Sequence, residues 1–354
     1  MRLPTVRSLV AVAALALLGA SLPGITAAQE APAAEAAAQA ARQPWWSAFE
    51  DTRLDALMAP LQAGTAATDP AALLQAQADA VRAYARLRVA GVRLHNARQR
   101  LQVAEQRQLA LQTAADAPPA AARAATRSLR ESRRQAEELQ AQQLARVAEL
   151  AALLRKRHPV ETLGPLLRGA SEETQVLLPR FHLMDELPGV VLRHRPDVAR
   201  AEAALAPPVR GLGGDALELA RYLQAMSLPI RASEQPPRML RLALPGIGGV
   251  MDKARQEIAF QLWQLGAATV ATREQHAHVA RLAQLWEHLR DQQQAGRVTE
   301  LQALEAMDEA LQAEDQLAVS AGELARAWVA LQLSVGGAGR TELENLLAPE
   351  TPAR

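Results

Sequence analysis

The chain has 354 residues, 49% hydrophobic and 22% charged, which is enough to bury a core or a long helical interface. A formal net charge of +1 speaks against a nucleic-acid surface, and the lack of cysteine excludes disulfides, thiol chemistry and a lipid-modified N-terminus. Aromatics make up only 3%, whereas Ala, Leu, Gln, Glu and Arg abound, so the composition favours a helical bundle or coiled coil over a sheet.

Arg2 and Arg7 give a basic start ahead of an uninterrupted apolar run, Leu9 to Leu18, and the following Gly19 to Ala28 supplies Pro23 and small residues. This predicts a secretory signal peptide over residues 1–28, because the run is shorter than the ~20 residues a membrane helix needs. Residues 29–42 carry no staged apolar face and read as a flexible leader. The stretch Pro44 to Leu61 then places Trp45, Trp46 and Phe49 ahead of Leu54, Leu57 and Leu61 at helical spacing. Such a double Trp is a candidate packing anchor.

A first helical repeat is expected over residues 43–162. Its first helix covers about Ala71 to Ala115, with Leu87, Leu94 and Leu101 seven apart and Ala90, Ala97 and Ala104 between them. A Leu/Ala seam at this period lets helices approach closely and supercoil. About 45 residues at a rise of 1.5 Å reach roughly 65 Å. Asp116 to Pro119 breaks the helix, since proline cannot continue a helix interior, and a second helix returns over about Ala121 to Arg157. Leu163 to Leu192, punctuated by Gly164-Pro165, Pro179 and Pro188-Gly189, reads as an irregular linker over the outside of a bundle. With the segment that follows it forms a connecting region, residues 163–206. A second helical repeat spans residues 207–340, with one helix over about Met251 to Gln294, a turn at Gly296 and a returning helix over about Val298 to Leu333. Residues 341–354 form a tail. The fold class is therefore dominated by α-helix: two long antiparallel coiled-coil hairpins in a duplicated protomer.

Between the repeats stand Leu187, Pro188, Leu192, Arg195, Pro196, Asp197, Val198, Ala201, Glu202 and Leu205. This order resembles the LP-x-x-L-x-x-RPD-[IV]-x-x-AE-x-x-L segment of TolC-like outer-membrane factors of bacterial efflux and type I secretion systems, with one more residue here between Pro188 and Leu192 and the spacing kept from Arg195 to Leu205. Physically, Pro196 suits a helix start and Asp197 suits the positive end of its dipole. The opening Trp45, Trp46, Phe49, Leu54 and Leu57 is similar to that family's first segment, and Tyr84 to Leu87 to its Tyr-centred pattern. Gly249 to Trp263, Gln294 to Leu317 and Ala327 to Gly337 resemble its second half.

The resemblance implies an export component. Three copies would close a periplasmic helical duct as a homotrimer, working with a periplasmic adaptor protein and an inner-membrane pump, in the outer membrane or periplasm. It implies equatorial packing by Trp45, Trp46 and Phe49 near Arg195, Pro196 and Asp197, and adaptor docking through the Gly296 end, with Arg297 and Thr299 as polar contacts. One departure is plain. The family inserts strand pairs that close an outer-membrane barrel, and a spanning strand takes about 9 to 11 alternating residues. Leu61 to Ala71 has no room for one. Ala206 to Met251 is rich in proline, with Ala216 to Met226 helix-like and only Met239 to Leu244 alternating. Barrel content is thus expected to be small or degraded. A second reading follows, a non-conducting periplasmic helical scaffold or adaptor-binding protein derived from the family.

No other chemistry competes. His276 and His278 are two apart on a helix and face different ways, His182, His194 and His288 are scattered, and neither pattern makes a metal site. Gly246 to Gly249 lacks the lysine of a phosphate loop and reads as a turn. Arg123, Arg127, Arg130, Arg133 and Arg134 alternate with glutamates as an ordinary charged helix surface. With no nucleophile–base pair, the sequence implies neither an enzyme nor a cofactor.

Overall fold

Seven helices and one two-residue strand pair carry the described part of the chain. The computed structural model describes residues 44–63, 70–113, 118–155, 158–181, 185–205, 223–232 and 247–337. A short 3₁₀ turn, Trp45–Phe49, leads into α1, Thr52–Ala63. The long helix α2, Pro70–Thr113, is followed by α3, Pro119–Leu154, and the shorter α4, Val160–Glu172. A second 3₁₀ turn, Gly189–His194, leads into α5, Pro196–Leu205. The second hairpin consists of α6, Ile247–Gln294, and α7, Glu300–Ser334. Strand β1, Glu186–Leu187, pairs antiparallel with β2, Ile230–Arg231, with Glu186 opposite Arg231 and Leu187 opposite Ile230. Among the described residues there is no longer strand and no closed barrel.

The four long helices lie side by side in the order α3, α2, α7, α6, since α2 packs on both α3 and α7, and α7 also packs on α6. At 44 residues, α2 extends about 66 Å at 1.5 Å per residue. The Leu/Ala seam does what its period predicts. Leu87, Leu94, Ala90, Ala97 and Ala104 are all buried, and small side chains bring the axes close.

Burial is uneven along this layer. At the end away from the hairpin turns, one large cluster joins Trp45, Trp46 and Phe49 to Leu54, Leu57 and Met58 of α1, Tyr84 and Leu87 of α2, Leu163 and Leu167 of α4, and Trp328 and Leu331 of α7. Toward the turns the buried apolar groups shrink to small islands, such as Leu94, Ala97, Ala136 and Leu139. A second island holds Val103, Leu304 and Leu311.

The connecting region departs from the expected irregular linker. Residues 160–172 form α4 despite Gly164 and Pro165, and Leu163, Leu167 and Ala170 point into the core. An interior proline costs a helix about 3 kcal/mol. Full burial of two leucines contributes about 1.5–3 kcal/mol each and offsets it. Leu177, Leu187, Val191 and Leu192 continue that buried stripe, so the region is part of the core. The expected turn at Gly246 to Gly249 is corrected over residues 247–249, Gly246 itself lying outside the described residues. Helix α6 begins at Ile247, and Ile247 and Gly248 are buried in its first turn. The signal peptide, leader and tail lie outside the described residues. So does most of the stretch 206–246, including Met239 to Leu244; residues 223–227 of it form a helical turn.

Candidate functional site

Two places gather the residues singled out in the sequence, the turn of the second hairpin and the belt at the opposite end of the layer. At the turn, Arg297 and Gly296 donate backbone N–H groups to the Gln292 and Gln293 carbonyls at 2.9 and 3.0 Å. This geometry puts Gly296 at φ 70°, where a side chain would be strained, and a Cβ there would meet nothing within 4 Å. Arg297 is exposed beside it. Thr299 is the N-cap of α7. Its hydroxyl accepts from the Gln302 N–H at 3.3 Å, and its own N–H donates to the Gln302 side chain at 2.9 Å. That capping box satisfies two otherwise orphaned donors. The other hairpin turn is built differently: Pro118 caps α3 and Pro119 occupies its first position, while residues 114–117, with Asp116, lie outside the described residues.

At the belt, Trp45, Trp46 and Phe49 are 2%, 3% and 5% exposed. The two indoles meet edge to face at 5.5 Å, an arrangement the ring quadrupole favours. Behind them Asp51 is a hub. Its Oδ1 accepts from the Arg53 and Leu54 N–H groups at 2.9 and 3.2 Å and starts α1, and its Oδ2 accepts from Tyr84 Oη at 2.7 Å and from Arg88. Arg88 also donates to the Gln175 carbonyl at 2.9 Å, tying α2 to the segment after α4. Burial and the Asp51 contact together push the Tyr84 phenol well above its usual range, so it stays protonated as a donor.

Arg195, Pro196 and Asp197 form a clasp. Pro196 opens α5. The Arg195 guanidinium donates to both Asp197 oxygens at 2.9 and 2.7 Å, to the Ser334 carbonyl at 2.8 Å, and to Glu257 of α6 at 2.9 Å. It thus places a positive charge on the carbonyl end of α7, where the helix dipole favours it. Burial opposes ionisation of Asp197, but the Arg195 partner outweighs it and holds the carboxyl below its usual range. The clasp explains the paired glycines that close α7. Gly336 has φ 80°, and a Cβ on it would lie 2.1 Å from the His194 carbonyl oxygen. Gly337 stands against Trp45 and Leu74, so the clasp and the indoles share one core. Ala201 packs against this core, and Glu202 lies 3.9 Å from Arg193.

Between belt and turn the two hairpins are joined by charge. Arg93, Arg100 and Arg107 of α2 reach Asp315, Asp308 and Glu305 of α7 at 2.9, 2.8 and 2.6 Å. Sequence reading missed this ladder, although Arg86, Arg93, Arg100 and Arg107 repeat every seven residues. It also missed Asp51 and Arg88 as a pair, because no periodicity links them. Glu314, next to Asp315, has a different state: burial pushes its carboxyl up to about 7. The basic residues Arg133 and Arg134 make exposed pairs with Glu105, Glu131 and Glu138. No group of three or more metal-ligating side chains occurs among the described residues, and no described helix is long and apolar enough to cross a membrane.

No protein-family model and no curated protein sequence matches the chain. Solved structures do. CusC, studied for transmembrane channel formation, superposes with a TM-score of 0.57 at 17% identity, covering 88% of this chain and 90% of its own. A membrane protein from Pseudomonas aeruginosa gives 0.52 at 17% identity, over 79% and 70% of the two chains. The outer membrane channel CmeC of Campylobacter jejuni gives 0.50 at 13% identity, over 77% and 64%.

Proposed function

With the fold of outer-membrane channels such as CusC and CmeC as premise, we propose that the chain is an outer-membrane-factor-like component of a tripartite efflux or type I secretion system. It forms or joins a periplasmic helical export duct. The observation that carries this is the open four-helix layer. Its edge helices have a long-helix neighbour on one side only among the described residues, and both bear exposed apolar side chains: Leu144 and Leu153 on α3, Val270 and Leu285 on α6. Edges of this kind suit a ring in which α3 of one copy meets α6 of the next, and three copies would close it. The Gly296 turn is the docking end for a periplasmic adaptor partnered with an inner-membrane pump, with Arg297 as the exposed polar contact. Thr299 serves that end chiefly by starting α7. Trp45, Trp46 and Phe49, with Arg195, Pro196, Asp197, Ala201 and Glu202, act as the equatorial fastening that keeps the hairpins in register.

The second reading, a non-conducting periplasmic scaffold, draws on the lack of any strand longer than two residues among the described ones. Fractionation separates the two. A detergent-stable trimer recovered with outer membranes supports the duct, and a monomer released with the soluble periplasm overturns it in favour of the scaffold. Photocrosslinking from position 297 in cells producing an adaptor tests the docking end. Equal crosslinking from positions 116–119, or none, would discard that assignment.

A further inference from the structure

The face of the layer that α4 leaves uncovered holds a cleft that the duct reading does not by itself assign. It runs between α2, α3 and α7 and has a volume of about 560 Å³. Its floor is apolar and small, with Ala85, Val89 and Ala90 of α2 against Gly322 and Ala330 of α7. Around this floor stand five guanidinium groups, Arg82, Arg86 and Arg93 from α2, Arg146 from α3 and Arg326 from α7. Glu323 is the one carboxylate lining it. Asp79, Asp315 and Glu149 engage from its margins, and Arg86 and Arg146 share Glu149 between them. The side chains of Arg86, Arg146 and Arg326 line the cleft and stay 50%, 44% and 64% exposed, and a guanidinium has five N–H donors, more than the one carboxylate contact each makes.

The face is set by helix geometry. Arg88 and Gly91 touch the segment at and after the end of α4, Arg88 through the Gln175 carbonyl and Gly91 beside the Ser171 carbonyl. At 100° per residue, Arg82, Arg86, Val89 and Arg93 lie roughly 100–160° around α2 from Arg88, on the side that α4 leaves uncovered. In a closed ring of such layers with α4 outside, this cleft opens on the inner surface.

We propose that the cleft is a subsite for an amphipathic organic anion, a sulfonate or carboxylate carried on an apolar body. This assignment names a substrate class for the proposed duct and rests on that reading for its role, but not for its binding. The apolar floor takes the body out of water, and the forked donors of Arg86, Arg146 and Arg326 take the anionic group, which planar guanidinium suits in geometry and charge. A neutral body of the same shape gains only the floor.

The test uses the purified full-length chain and two fluorescent probes that differ by one group, anilinonaphthalene sulfonate and the same molecule without its sulfonate, N-phenylnaphthylamine. The sulfonate is expected to bind saturably and about tenfold more tightly than the neutral probe, the equivalent of one charge-assisted contact. Arg326→Glu and Arg146→Gln change exposed side chains whose described ion pairs lie within their own helices, and helicity by circular dichroism checks each fold. Each is expected to lose most of the sulfonate preference while neutral-probe affinity stays within about twofold. Equal affinity for both probes, no saturable binding, or an unchanged preference in both variants would overturn the subsite. A trimer recovered from outer membranes in the same preparation would then leave the duct reading standing without it.

Discussion

The belt and the turn-proximal half of the layer use the same four helices and are held in different ways. At the belt, Trp45, Trp46, Phe49, Tyr84 and Trp328 supply large buried side chains, and Phe181 stacks on Trp328 with ring centroids 5.0 Å apart. Nearer the turns the interface is Leu and Ala at heptad spacing with a ladder of partly exposed Arg–Asp and Arg–Glu pairs. Aromatic burial contributes several kcal/mol per residue, whereas surface ion pairs contribute about 0–1. The difference teaches that the belt is fastened by extensive apolar burial and the turn-proximal half by small apolar islands and ion pairs, so the second half is the weaker one to hold.

The sharpest way to break this contrast is at Trp328, which is fully buried. Trp328→Ala is expected to destabilise by about 3–5 kcal/mol and to lower the melting of the whole chain. A loss below about 1 kcal/mol by denaturant titration would show that the belt is not the stronger fastening.

Glu314 probes the boundary between the halves. Its folded pKa, about 7, is raised above the usual 4.5, so its ionisation opposes folding and stability falls as pH rises between those values. Below the unfolded pKa the group is protonated in both states and has no effect. Glu314→Gln should therefore stabilise by about 1–3 kcal/mol at pH 8 and by almost nothing at pH 4. Thermal melts at the two pH values decide it, and an equal shift at both would reject the cause.

Asp197 has the opposite sign. Its folded pKa is depressed, so the clasp's contribution is present above the ordinary carboxylate pKa and fades as pH falls through the lowered value. Arg195→Gln should flatten that acid-side loss in a pH titration of stability. Since Asp197 and Glu257 are partly solvated, the effect near neutral pH is expected at about 1–2 kcal/mol.

The smallest effect is expected in the ladder. Arg100→Ala should cost about 0.5–1 kcal/mol and be largely screened by high salt. Hydrogen exchange should quicken in α2 and α7 near the turns while the belt stays protected. Faster exchange at the belt as well would mean that the two halves open as one unit.

The sequence by itself determined what short-range periodicity and local chemistry dictate. The heptad Leu and Ala residues of α2 marked a long helix with a close-packing seam. Proline at 118 and 119, which cannot continue a helix interior, and glycine at 296, which takes a positive φ, marked the two breaks. The ten residues from Leu187 to Leu205 pointed to outer-membrane channels, whose fold the described helices share. Tertiary structure alone decided the rest. Gly164 and Pro165 read as a linker because local propensity disfavours helix there, and α4 forms because Leu163 and Leu167 find a core to enter. Thr299 read as a polar contact at the turn, and its capping box with Gln302 exists only because α7 begins at Glu300. Asp51 and Arg88, or Arg195 and Glu257, meet only because folding brings distant turns together, and such pairings leave no spacing in a chain to be read.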